Sequence, residues 1–220
     1  MDHAIDGKSS TTAREADLLK AFAEDAARWK PLLVERYGDA FAKSVLDESH
    51  ARFEAFIPQI PDLGDEDGWA DSLIESVGCL ALYLAMKGRG KTAEETGQVL
   101  YDAVIAQAGE PRAPIPAAQL LSPEQLMERR KRRAQKTQQQ PHPQGYVCEF
   151  VAGDGQEFDY GYNFTECASQ KFYHAQAADE FLPFFCFLDF AYSQVHGLGL
   201  TRTMTLAAGD PLCNPRFKRK

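Results

Sequence analysis

The 220-residue sequence is short of several things that would place it in a particular setting. It has no basic surplus: 24 lysines and arginines against 32 aspartates and glutamates leave a formal net charge of −8. Neutralising a phosphate backbone needs cations clustered over a whole surface, so a general nucleic-acid binder is excluded. No apolar run is read as reaching the roughly 20 residues that span a bilayer. The opening MDHAIDGKSSTTARE has no apolar stretch of signal-peptide type. The five cysteines are odd in number, scattered and never spaced Cys-x-x-Cys. A chain this long needs no covalent staples, so reduced thiols in a cytoplasm are expected. There is also no internal repeat.

What is present first is helical periodicity. Leu18, Phe22, Trp29 and Leu33 recur on one helical face, as do Phe41, Val45, Phe53 and Phe56 after Gly38. Pro31 lacks an amide and crowds the preceding turn, so it is expected to kink or split the first helix. Pro58 and Pro61 close the second. A third runs from about Asp67 to Lys87, with Leu73, Val77, Leu80 and Leu84 on one face and Gly88 beyond it. Cys79 lies on that helix and is expected as a reduced core thiol. Thr92 with Glu95 reads as a capping box opening a fourth helix, ended by Gly109. Residues Pro111 to Pro116 form a stiff connector. Ser122, Pro123 and Gln125 open a fifth helix. Its basic run, Arg129, Arg130, Lys131, Arg132, Arg133 and Lys136, reads as a solvated, partly frayed helix.

Near Gln138 the period drops towards two. Tyr146, Cys148 and Phe150 alternate with Val147, Glu149 and Val151, and Asp154-Gly155 makes a turn. Phe158, Tyr160 and Tyr162 continue a second strand, so residues 146 to 163 read as a β-hairpin. Two helices follow, about Glu166 to Gln176 and Asp179 to Val195, with Gly197 as the stop. Strands are expected at Leu200 to Leu206 and Arg216 to Lys218. The fold class is α+β: an N-terminal helical bundle, then a small antiparallel sheet covered by helices. The expected organisation is a disordered stretch at 1–13, a helical region at 14–137, a linker at 138–144 and an α+β domain at 145–220.

Chemistry concentrates in that last part. The blocks NFTEC, FCFLD and TRTMTLAAGDPLCNPRF mix thiols, carboxylates and arginines with aromatic residues. Cys167 lies at a helix start, where free amides and the dipole lower a thiol pKa; its bland alternative is a small buried hydrophobe. Cys186 sits in an apolar helix and reads as core. Asp189 lies three residues later on the same face, among phenylalanines, where a carboxylate needs a partner or a raised pKa. Alternation along the third strand puts Thr201, Thr203 and Thr205 on one face and Arg202, Met204 and Leu206 on the other. An inward threonine row offers hydroxyls to a polar ligand, and Arg202 or Arg216 can grip a carboxylate bidentately. His196 reads as a helix C-terminal cation. Zinc held by the three late cysteines with Asp189 or His196 is the alternative to a site without cofactor.

These blocks resemble the L-2-amino-thiazoline-4-carboxylic acid hydrolase family. There an acidic-Cys segment, a later Cys-x-x-Asp and a terminal Arg-Thr…Thr…Gly…Cys…Arg-Phe run recur in this order. The matching positions are Glu166, Cys167, Cys186, Asp189, Arg202, Thr203, Thr205, Gly209, Cys213, Arg216 and Phe217. The likeness is strong from about Tyr160 to Phe217. One departure is visible: Asn214-Pro215 stands where the family pattern has Asp-Phe, so a carboxylate is missing beside the last cysteine. The resemblance implies a small-molecule substrate and hydrolysis of a cyclic C=N bond, opening an aminothiazoline carboxylate to an N-carbamoyl cysteine. Such chemistry needs a carboxylic acid on the ring nitrogen, for which Asp189 or Glu166 suits, and a nucleophile, either Cys167 or a water. It also needs local cations for the substrate carboxylate, here Arg202 and Arg216, with Thr203, Thr205 and Cys213 bordering the site. The second hypothesis is a small-molecule-binding or sensing domain without turnover, similar to 4-vinyl-reductase-type domains. A homo-oligomer is left open; nucleic-acid and membrane partners are not expected.

Overall fold

The computed structural model describes residues 7–63, 69–109 and 121–218, with side chains from residue 14. Five helices come first: α1 (Gly7–Tyr37), α2 (Asp39–Phe56), α3 (Trp69–Lys87), α4 (Ala93–Ile105) and α5 (Pro123–Gln139). Then follow β1 (Val147–Ala152), β2 (Tyr160–Glu166), α6 (Ala168–Ala175), α7 (Leu182–His196), β3 (Leu200–Thr201) and β4 (Arg216–Phe217). The four strands form one antiparallel sheet in the order β1-β2-β4-β3. The fold is α+β, with the helical region ahead of the sheet. The expected Asp67 start of α3 and the Pro111 to Pro116 connector lie outside the described residues.

The helical layer is built on the stripes read from the sequence. Leu18, Phe22, Trp29 and Leu33 of α1 are buried, as are Val45, Phe53 and Phe56 of α2. Each such side chain contributes roughly 1.5–3 kcal/mol by leaving water. Pro31 does not split α1, which continues through it as one helix. Its ring is on the exposed side, where the carbonyl it leaves unbonded meets water, while Trp29 and Leu33 anchor the helix on either side of it. The helix also starts at Gly7, inside the stretch expected to be disordered; no proline lies between Gly7 and Pro31 to stop it.

By length and composition α3 can cross a bilayer, contrary to the reading that no run is apolar enough. Its apolarity is that of a helix enclosed on all sides: Leu73, Val77, Cys79, Leu80, Leu82, Tyr83 and Met86 are all buried. The capping boxes at Thr92/Glu95 and Ser122/Gln125 are both formed. Gly97 lets α4 close on α7, since a Cβ there would lie 2.9 Å from Phe184. One core unites α1 to α4 with Phe172 and Tyr173 of α6 and Leu182 and Leu188 of α7.

Helix α5 packs on the first strand and is not frayed, extending to Gln139 into the expected linker, while Arg129, Lys131 and Arg132 on its outer face are exposed as expected. Ala134 is buried against Cys148, Tyr160 and Tyr162. Two of the basic residues lie over aromatic faces, Arg130 at 4.0 Å from the Tyr160 ring centre and Arg133 at 3.4 Å from that of Trp69. Helices α6 and α7, expected over the sheet, pack mainly on α3 and α4.

The hairpin forms with Phe150 opposite Tyr162 and Cys148 opposite Phe164. Its loop is longer than Asp154-Gly155: Asp154 Oδ1 accepts the amides of Gln156 and Glu157 at 2.8 and 2.9 Å, and β2 starts only at Tyr160. The strand expected over Leu200 to Leu206 shrinks to two residues. Beyond Thr201 the chain turns into a short 3₁₀ segment, Leu206–Ala208, capped by Thr205. The alternating threonine face therefore does not exist.

Candidate active site

Cys167 ends the β2 segment and is the N-cap residue of α6, with extended backbone. The amides of Gln170 and Ser169, the first free donors of the helix, point at its sulfur. The expected lowering of its pKa does not follow. Burial is the larger influence and pushes the thiol up to about 11, against those amides.

Cys186 and Asp189 lie one turn apart on α7. Burial pushes the Cys186 thiol well above the usual range, helped by Cys167 and Asp189 and opposed by Arg202. Asp189 is gripped by Arg202, whose Nη1 donates to Oδ2 at 2.7 Å, while Nη2 donates to the Cys186 carbonyl at 2.7 Å. The Arg202 side chain is only 9 % exposed and lies over the Phe190 ring. The Asp189 side chain is 57 % exposed, yet crowding by protein is the largest influence on its carboxyl and raises it, Arg202 opposing. The Asp189 carboxyl is thus open to water on one side and packed against protein on the other.

Cys213 arrives from the last segment. It bridges Phe164 of β2 through two 2.9 Å backbone bonds, which sets it beside the chain leading to Cys167. Its Sγ accepts the Leu206 amide at 3.1 Å and donates to Thr205 Oγ1 at 3.4 Å. Gln170 of α6 donates to the Leu206 carbonyl at 3.2 Å, tying the cap of Cys167 to the turn around Cys213. The charges of Cys213 and Asp189 both act on Cys167, and those of Cys167, Asp189, Arg202 and Cys213 on Cys186. Three thiols, one carboxylate and one guanidinium, from a strand end, a helix and two loops, thus lie within electrostatic reach of one another.

The other expected residues are placed elsewhere. Glu166 is exposed and ion-paired with Lys171 Nζ, which also donates to the carbonyls of Pro143 and Gly145. Arg216 lies across Gly161 and donates to the Tyr162 carbonyl at 2.6 Å and to Asn163 Oδ1 at 2.7 Å. Its fork is occupied by the sheet. Thr203 Oγ1 accepts from Asn214 Nδ2 at 2.8 Å, and Asn214 Oδ1 accepts the amides of Thr203 and Met204 at 3.0 and 2.8 Å. Among the described residues no three His, Cys, Asp or Glu side chains are grouped so as to hold a metal ion.

Two groups escaped the sequence reading. Tyr146 is buried, with its hydroxyl 2.8 Å from Ser169 Oγ, and feels Cys167, Cys186 and Asp189. Nothing in its strand pattern signalled this. Glu75 is a carboxyl inside the apolar run of α3, hydrogen-bonded by the Tyr192 hydroxyl of α7, and Asp189 acts on it. The argument that marked Asp189, a lone acid among apolar neighbours, applied to Glu75 equally.

No curated protein and no solved structure matches the chain. A family model, L-2-amino-thiazoline-4-carboxylic acid hydrolase, matches residues 71–217, a span that holds most of α3, all four strands and every member of the thiol–carboxylate cluster. It covers well over half of the 220 residues, and the chain belongs to the L-2-amino-thiazoline-4-carboxylic acid hydrolase family.

Proposed function

We propose that this protein is a hydrolase that opens a cyclic amidine bearing a carboxylate, of the aminothiazoline carboxylate class, to an N-carbamoyl cysteine-type product. The observation that carries the reading is the ion pair of Asp189 with Arg202 beside the three thiols, all within the family-matched span. Burial raises Asp189, and Arg202 opposes the rise by charge and hydrogen bond. A substrate carboxylate that takes over the Arg202 fork removes that restraint. Asp189 then gains a proton and hydrogen-bonds the ring nitrogen, which makes the amidine carbon electrophilic. Arg202 thus serves the substrate carboxylate through an exchange of partners with Asp189.

Water is the nucleophile in this proposal, because a thiol at about 11 is almost wholly protonated near neutrality. Its oxygen bonds to the amidine carbon and the ring carbon–sulfur bond breaks. Its two hydrogens end on the former ring nitrogen and on the released sulfur. Cys167 and Cys213 form the wall beside the reacting carbon. The protein works without a metal in this scheme.

The test is incubation with the aminothiazoline acid and a count of free thiol against time. Continuous release supports the hydrolase; stoichiometric binding without thiol release would instead support the sensing-domain alternative. Asp189→Asn should lower turnover about a hundredfold or more, since placed acid–base groups contribute 10²–10⁴. Cys167→Ser should stay within about tenfold of the native rate; a loss as large as that of Asp189→Asn would return the attack to the thiolate.

A further inference from the structure

The junction of α1, α3, α4 and α7 encloses titratable groups that the proposed reaction does not use. Asp25, Arg28, Glu75, Cys79, Gln107 and Tyr192 border a cavity of about 20 Å³ there. That is room for about one water, so it is no site for an organic ligand. What it encloses is a carboxyl. Glu75 reaches from α3 towards α7 and accepts the Tyr192 hydroxyl in a short hydrogen bond. Tyr192 lies three residues after Asp189, so the residue holding Glu75 and the residue paired with Arg202 share a face of one helix.

We propose that Glu75, bridged to α7 by Tyr192, is a positioning residue that holds a proton behind Asp189 and so sets the charge felt at Arg202. This rests on the hydrolase reading for its consequence, though not for the pairing itself. The groups facing Glu75 from each packed element are few. Helix α1 presents Asp25 and Arg28, ion-paired at 2.6 Å; α3 presents Cys79; α7 presents Tyr192 and Asp189; α4 presents apolar side chains, and the turn after it Gln107. Tyr173 of α6 also feels Glu75. Burial is the largest influence on Glu75 and raises its carboxyl to about 7, the Tyr192 hydrogen bond opposing and the charges of Asp25 and Asp189 adding to the rise.

The pairing has a direction. Two neighbouring carboxyls release their protons in sequence, and the one with the more favourable partner goes first. Asp189 has Arg202; Glu75 has only a neutral hydroxyl and the more distant Arg28. While Glu75 keeps its proton, up to about pH 7, the negative charge of the pair rests on Asp189, where Arg202 matches it. Above it Glu75 ionises as well, and the added charge disfavours an anionic substrate at Arg202.

Carbon-13 NMR of protein labelled at its Glu and Asp side-chain carboxyls tests the pairing without any turnover. One glutamate resonance should titrate near 7 in the native protein and be missing in Glu75→Gln. In Asp189→Asn its midpoint should fall by about half a unit or more, because the neighbouring charge is gone. A Glu75 midpoint in the ordinary range, or one unmoved by Asp189→Asn, would overturn the proposal. With the aminothiazoline acid as substrate, native KM should rise above pH 7 with kcat little changed, and in Glu75→Gln the inflection should be absent. The glutamine keeps an oxygen for Tyr192, so a merely structural Glu75 predicts an unchanged inflection, and that result also overturns the proposal. If the native protein releases no thiol at any pH while the NMR midpoints shift as expected, the hydrolase reading fails and the Glu75–Asp189 pairing stands.

Discussion

Asn214 stands where the resemblance leads one to expect a carboxylate, and its contacts show what the amide does there. One side-chain oxygen accepts two backbone amides, from Thr203 and Met204, and the nitrogen donates to Thr203 Oγ1. The residue clips the loop carrying Arg202 to the segment carrying Cys213. An aspartate can accept the same two amides with a charge behind it, and the Thr203 hydroxyl can turn to become the donor. Asn214→Asp should therefore melt within about 1 kcal/mol of the native protein, whereas Asn214→Ala strands two amides and should cost about 1–3 kcal/mol. Denaturant melts separate the cases; an Asp variant as weak as the Ala variant would mean that the amide nitrogen is the essential half of the clip. At this scale the sequence was legible for chemistry and not for commitment. Cys167, Asp189, Arg202 and Cys213 were singled out by residue type together with the family resemblance, but nothing in the letters tells that Arg216 is held by Tyr162 and Asn163 or that Glu166 pairs with Lys171.

Elements were legible where periodicity and caps agree, as at α4 and α5, whose capping boxes form as spaced. They were not where a local rule met tertiary packing. Pro31 signals a break, but α1 continues past it, with Trp29 and Leu33 buried on either side. Leu200 to Leu206 alternates like a strand, yet its length is set by the two residues β4 offers as partners. A strand exists only where another strand pairs with it, which single-strand patterning cannot supply. The β2–β4 pairing also depends on a residue with no side chain. A Cβ on Gly161 would lie 2.5 Å from Arg216 Cδ and 2.6 Å from the Pro215 carbonyl oxygen. The arginine can swing aside, but the carbonyl belongs to the bonded segment, since it accepts the Tyr162 amide at 3.1 Å. Gly161→Ala should destabilise by about 1–3 kcal/mol and loosen the end of the sheet nearest Arg216. Urea unfolding measures the first effect and hydrogen exchange at the Tyr162 amide the second; native-like values in both would show that the close approach is not obligatory.

For the whole molecule, the buried acid of α3 makes stability a function of pH with an unusual sign. A glutamate usually titrates near 4.5; folded, Glu75 is raised to about 7 by burial first, with Asp25 and Asp189 adding to it. Between those two values the folded chain keeps a proton that the unfolded chain has released. The folded state then binds more protons than the unfolded, so stability falls as pH climbs through about 4.5 to 7 and stays lower above. Asp25 and Asp189 are raised as well and act in the same direction from 3.8 upward. Glu180, lowered to about 2 by Lys87 and Tyr83, has the opposite sign, but its contribution is lost only as pH falls below 4.5 towards 2, outside this window. Cys79, Cys167 and Cys186 are raised from 9.0, and their effect belongs to alkaline solution. Glu75→Gln removes the titration and keeps an oxygen for the Tyr192 hydroxyl. It should leave the melting temperature nearly unchanged at pH 5 and raise it at pH 8, by a gain of about 1–3 kcal/mol once the partial access of solvent to Glu75 is discounted. For a chain of this size each kcal/mol is about 2–4 °C. Calorimetric melts of the two proteins at pH 5, 6, 7 and 8 give the difference directly: a gain that grows with pH is the expected result, and an equal shift at all four values would show that Glu75 is ionised in the folded protein throughout.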